Sequence, residues 1–114
     1  MTEGRPTIST HVLDLERGVP AAGVEVVLMR LEDGRQFGPV ATDSDGRVRD
    51  LLDGGDLRPG AYELRFDPGM SRRAGGGEAF FRRIAVTFTI DDTSRSSHVP
   101  LLLSSFGLTT YRGS

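Results

Sequence analysis

Apolar residues in this chain recur at every second position. In "AYELRF" Tyr62, Leu64 and Phe66 alternate with Ala61, Glu63 and Arg65; in "RIAVTFTI" Ile84, Val86, Phe88 and Ile90 alternate with Arg83, Ala85, Thr87 and Thr89. A period of two divides side chains between the faces of an extended strand, whereas a helical stripe repeats at about 3.6. These stretches therefore read as strands with one face in a core and one in water. "VEVVLMRL" (Val24 to Leu31) is apolar on both faces, with Val24, Val26 and Leu28 opposed to Val27, Met29 and Leu31. "ISTHVLDL", "FGPVAT" and "HVPLLLSSF" are further strands. Pro100 in the last has no N–H to give a ladder, so it predicts an edge, a bulge or a strand start. Gly, Pro and Asp supply the turns in "RGVPAAG", "EDGR", "DSDGR", "DGGD", "RPG" and "DPG". Their short spacing predicts an all-β antiparallel sandwich or barrel. One stretch, "SRRAGGGEAFF", is a candidate helix despite three consecutive glycines.

With 114 residues there is room for one core, and neither a repeat nor a linker divides it. We expect a single domain over 1–114, with residues 1–6 as a flexible N-terminus. All fourteen basic residues are Arg, so Schiff-base and P-loop lysine chemistry are excluded. The absence of Cys excludes disulfides, thiolate catalysis and Cys-based zinc sites. A net charge of −2 gives no field favouring nucleic acid or an anionic membrane. No apolar run approaches a membrane span, and "MTEGRPTIST" has no apolar signal core, so we expect a cytoplasmic protein.

Two strands have more apolar surface than one core needs. Val99, Leu101 and Leu103 share one face, while His98, Pro100, Leu102 and Phe106 share the other. Ile8 and Val12 likewise oppose His11, Leu13 and Leu15. Left open, the second face would form an apolar patch of the kind that meets a partner, and self-association is the expectation.

His11 and His98 are the only histidines, so acid–base work near neutral pH falls to them or to shifted carboxylates. Singly, each reads as a partly buried residue bonded to a carbonyl. Arg47 closes the turn "TDSDGR", and "TYRGS" ends the chain with Tyr111, Arg112, Gly113 and Ser114. Alone, the first is a solvated turn residue and the second a disordered tail. With these residues one can build a metal-free hydrolytic site. A neutral imidazole takes a proton from water, a guanidinium fork binds and polarises a planar heterocycle, and a second imidazole holds or relays a proton. No acidic residue stands in ligand spacing to either histidine, which disfavours a metal.

"STHVLDLERGVPAAGVEVVL", "TDSDGR" and "HVPLLLSSFGLTTYRGS" together resemble the 5-hydroxyisourate hydrolases, the transthyretin-like proteins of purine breakdown. The resemblance runs from Ile8 to Ser114, and the terminal "YRGS" marks the hydrolase branch rather than the hormone-carrier branch. It implies a transthyretin-like (prealbumin-like) sandwich of two four-stranded sheets with one short helix. It also implies a homotetramer, a dimer of dimers with active sites at the dimer–dimer interface. The implied reaction adds water to a ring carbonyl of 5-hydroxyisourate, opening the ring to 2-oxo-4-hydroxy-4-carboxy-5-ureidoimidazoline without cofactor or metal. By the same resemblance His11, Arg47, His98 and Ser114 are catalytic, and Tyr111, Arg112 and Gly113 bind substrate.

The chain departs from the family pattern at Ser96, where a histidine is usual, at Ser105, where a proline is usual, and at Leu108, where an aromatic is usual. Two other readings use the same scaffold. One is a non-catalytic carrier of a small aromatic ligand, and the other is a structural or interaction domain.

Overall fold

Among the described residues there are nine strands: β1 (Ile8–Asp14), β2 (Val19–Pro20), β3 (Glu25–Arg30), β4 (Arg35–Ala41), β5 (Arg47–Val48), β6 (Gly60–Asp67), β7 (Ile84–Ile90), β8 (Ser97–Leu103) and β9 (Leu108–Thr110). The computed structural model describes residues 5–69 and 80–113. Most of the candidate helix, residues 71–79, lies outside the described residues. The expected sandwich of two sheets is present. One sheet runs β2-β1-β8-β9, with β5 paired to β1 off that path, and the other runs β4-β3-β6-β7.

The core lies where the period placed it. Tyr62, Leu64 and Phe66 of β6, Val26 and Leu28 of β3, and Ile84 and Ile90 of β7 face Ile8, Val12, Val99, Leu101 and Leu103 across the sandwich. Tyr62 pairs with Phe88 across β6 and β7, their rings stacked 6.0 Å apart. The buried phenol donates to the Arg58 carbonyl at 2.8 Å, so its polar end is not stranded. Arg30 is also buried, because its β3 position continues the inward row of Leu28. It donates to both carboxylate oxygens of Asp33, at 3.0 and 2.8 Å. This pair holds the Asp33 carboxyl well below the ordinary carboxylate range.

Two expectations need correction. The antiparallel arrangement holds for every pairing among the described strands except one: β1 and β8 run parallel, from Ile8 opposite Ser97 to Asp14 opposite Leu103. A parallel pair needs a long crossover, and here the whole second sheet intervenes in sequence between them. Pro100 sits inside β8, a strand flanked on both sides by β1 and β9, rather than at an edge, a bulge or a strand start. Ser97 donates to Thr7 on the β1 side, while the amides of Ser104 and Gly113 bond across to Gly107 and His98 on the β9 side. By that alternation the missing N–H of Pro100 faces β9, opposite Tyr111. The β9 ladder stops at Thr110 for this reason. Arg5, in the segment expected to be a flexible N-terminus, donates to the Gly54 carbonyl and to Asp56, each at 2.8 Å.

Candidate active site

The outward row of β1 is Ser9, His11 and Leu13, because Ile8, Thr10 and Val12 are turned into the core. In the parallel register Ser9 lies opposite His98, His11 opposite Pro100 and Leu13 opposite Leu102. On the other side of β1, His11 lies opposite Arg47. Cross-strand partners share a face, so both histidines and the arginine stand on the outer surface of one sheet. With strands about 4.8 Å apart and about 6.6 Å for two residues along a strand, His11 and His98 are about 8 Å apart at Cα. Arg47 and His98 line one recess, whereas His11 stands on the same face but not in that lining.

Arg47 owes its place to the turn before it. The Asp43 carboxylate accepts the amides of Asp45 at 2.9 Å and Arg47 at 3.0 Å. Those bonds, the one from Arg47 foremost, hold the Asp43 carboxyl below its ordinary range, so it stays charged and the turn stays closed. Gly46 follows with φ of +77° and accepts the Val12 amide at 2.7 Å. A Cβ there would collide with the Val12 carbonyl oxygen, so only glycine lets the turn lie against β1. β5 ends after Val48, and β2 takes the rest of that edge of β1, at Leu13 and Asp14.

His98 is held on three sides. Its Nδ1 lies 2.8 Å from the Ser9 hydroxyl. Its carbonyl accepts the Gly113 amide at 2.7 Å, and its ring lies over the Gly113 Cα, where a Cβ would come within 2.8 Å of Cδ2. Burial first, then the charge of Arg47, then His11 push its imidazole below the ordinary value. His98 is thus neutral at neutral pH and able to accept a proton.

A recess of about 170 Å³ is lined by Ser9, Thr10, Arg47, Val48, Arg49 and His98. A neighbouring cleft of about 390 Å³ is lined by Tyr111 and Arg112 together with β7 residues, and His98 borders this one too. Within one chain, then, Gly113 packs on the histidine while Tyr111 and Arg112 line the other side of it. Ser114 lies outside the described residues. Among the described residues no three His, Asp or Glu side chains gather as a metal site, and no helix is long and apolar enough to cross a membrane.

Sequence reasoning passed over Ser9 and Arg49. The period of two could have found Ser9, which shares the face of His11; Arg49 lies just past the two-residue β5, where no period can be read. The departures have plain structural roles. Ser96 accepts the Thr7 amide at 3.0 Å and ties the start of β1 to β8. The Ser105 amide donates to Glu16, and Leu108 packs against the core.

The HIUase/Transthyretin family pattern matches residues 8–113, a span that includes both histidines, Arg47 and Gly113. The chain belongs to this family. It is 40% identical over 116 residues to the 5-hydroxyisourate hydrolase of Salmonella dublin, covering 100% of this chain and 85% of that protein. Its fold is similar to that of Klebsiella pneumoniae 5-hydroxyisourate hydrolase, with a TM-score of 0.84 and 35% identity over 96% of this chain and 99% of that one. The transthyretin of Sparus aurata superposes with a TM-score of 0.80 at 25% identity, over 95% and 97% of the two chains. The transthyretin-like sandwich is thus shared across the family.

Proposed function

We propose that this protein hydrolyses 5-hydroxyisourate in urate degradation, using His11, Arg47 and His98 on the outer face of the β1–β8 sheet. The observation that carries this reading is the register that puts His11 opposite both Arg47 and Pro100, with His98 one alternation away. The resemblance to hydrolases over nearly the full chain supports the same reaction. One imidazole takes a proton from water, and the hydroxide oxygen bonds to a ring carbonyl carbon. The C–N bond of the ring then breaks, and its nitrogen leaves with a proton. The product is the ring-opened carboxylate, 2-oxo-4-hydroxy-4-carboxy-5-ureidoimidazoline. Arg47 holds the planar, electron-rich ring and the charge that develops on oxygen. As the resemblance implies, Tyr111, Arg112 and Gly113 bind the substrate and Ser114 is catalytic, with water the only co-reactant.

The assembly proposed is a homotetramer whose sites lie where two dimers meet. Its support is the open face itself, where Leu13 and Leu102 stand beside the histidines and are only half buried in one chain. Contact there would also bring a second tail to each recess.

5-Hydroxyisourate made in place from urate and urate oxidase decays slowly, and its ultraviolet absorbance reports the decay. The protein is expected to accelerate it, with His98→Ala slower by about 10²–10⁴-fold. No acceleration, or a His98→Ala variant equal to the parent, would overturn the proposal. Deleting Arg112 to Ser114 separates the enzyme from a carrier: turnover is lost while assembly and ligand uptake persist only if the tail is catalytic wall.

A further inference from the structure

The outward face of β1 holds a polar side chain that the proposed reaction has not used. Ser9 stands directly opposite His98 in the parallel register, and its hydroxyl oxygen is 2.8 Å from Nδ1 of that ring. Nothing else in the fold needs a hydroxyl at this position. Thr10 already bonds β1 to β8, donating to the Val99 carbonyl at 2.6 Å, and the strand ladder is complete without Ser9. The ring is otherwise gripped only at its Cδ2 edge, by Gly113. Among the described residues Nδ1 is the ring nitrogen with a hydrogen bond and Nε2 has none, and the ring borders the recess that Arg47 lines.

We infer that Ser9 is a positioning residue: it accepts the Nδ1 proton of His98, fixing the ring's rotation and tautomer so that the Nε2 lone pair is the one presented to water or substrate. Two considerations set the direction of the bond. Arg47 lines the same recess as His98, and its guanidinium is a donor and a cation, so a ring nitrogen open to that recess is more stable as a lone pair than as an N–H. A hydroxyl can take either role, so it adapts to the tautomer that Arg47 selects. Without the Ser9 oxygen, His98 would divide between two tautomers and two ring orientations, and only one combination could accept a proton at the recess.

This inference rests on the reading of His98 as a working residue, and the experiment keeps the two apart. His98 tautomer is read from long-range ¹H–¹⁵N spectra, which need no substrate, and turnover is read separately. In the parent, Nδ1 is expected protonated and Nε2 unprotonated. In Ser9→Ala the two nitrogens should move toward intermediate, averaged shifts. kcat should fall about 5–50-fold with KM little changed, while Ser9→Thr restores both the spectrum and kcat. Far-ultraviolet circular dichroism and the unfolding midpoint check that each variant is folded. An unchanged tautomer and unchanged kcat in Ser9→Ala would overturn the role of Ser9. So would a parent protein protonated at Nε2. Full turnover in His98→Ala would instead overturn the site reading on which the inference stands.

Discussion

His98 borders both cavities, and in the proposed reaction its ionisation sets when the site works. Burial lowers its affinity for a proton, and Arg47 and then His11 lower it further. Arg49 on one side, and Asp91, Asp92, Arg95 and Arg112 on the other, are the remaining charges that border its two cavities. The sign follows directly. The ordinary imidazole value is about 6.5, so the folded protein keeps His98 neutral to a lower pH than the unfolded chain does. The acid limb of kcat/KM is expected to have its midpoint below about 6.5, and so is the NMR titration of the His98 ring. Stability from this group is at its full value above about pH 6.5. It declines as pH falls below that and toward the folded midpoint, because the unfolded chain takes up the proton first. Arg47→Gln removes the second cause and leaves burial in place, so the His98 midpoint should rise toward 6.5. A midpoint that stays put in that variant would show that Arg47 does not face the ring. Gly113 carries a second prediction. Gly113→Ala places a methyl about 2.8 Å from the ring carbon, so the imidazole must shift. A displacement of that order is expected to lower kcat/KM by roughly 10²-fold.

Short elements govern the arrangement more than long ones. β5 has two residues, yet it alone puts Arg47 opposite His11. It is held by the Asp43 carboxylate and by the close approach of Gly46 to Val12. Gly46→Ala is expected to destabilise the fold by about 1–3 kcal/mol, read by denaturant titration. It should also reduce turnover by more than that loss of stability would explain, since the turn carries Arg47. β9 has three residues and ends where Pro100 offers no donor. The free run Tyr111–Gly113 that follows is what wraps His98. β2, β5 and β9 were not visible in the alternation, because two or three residues cannot display a period. The six long strands were visible, and most of their core rows are buried: Val26 and Leu28, Tyr62, Leu64 and Phe66, Ile84 and Ile90, and Val99, Leu101 and Leu103, with Val86 and Phe88 only partly so.

The two outer surfaces of the sandwich differ. Beyond β3, β6 and β7 the outward positions include Glu25, Glu63, Arg65, Thr87 and Thr89, which suit water. Beyond β1 and β8 they are Ser9, His11, Leu13, His98, Pro100 and Leu102, with Phe106 79% exposed in the following turn. The proposed tetramer is expected to sediment at four times the 12.4 kDa of one chain. Leu102→Glu should dissociate it and reduce turnover together. A single chain in solution with full activity would overturn the interface and leave the chemistry intact. The alternation of apolar residues, the turn chemistry of Asp43 and Gly46, and the terminal motif are local properties, so they could be read from the chain itself: strands, core rows and the four residues His11, Arg47, His98 and Gly113. The parallel pairing of β1 with β8, the buried Arg30–Asp33 pair, the interior place of Pro100 and the Ser9–His98 bond join residues by register across strands. Register is an outcome of packing the whole sandwich, and no window of sequence contains it.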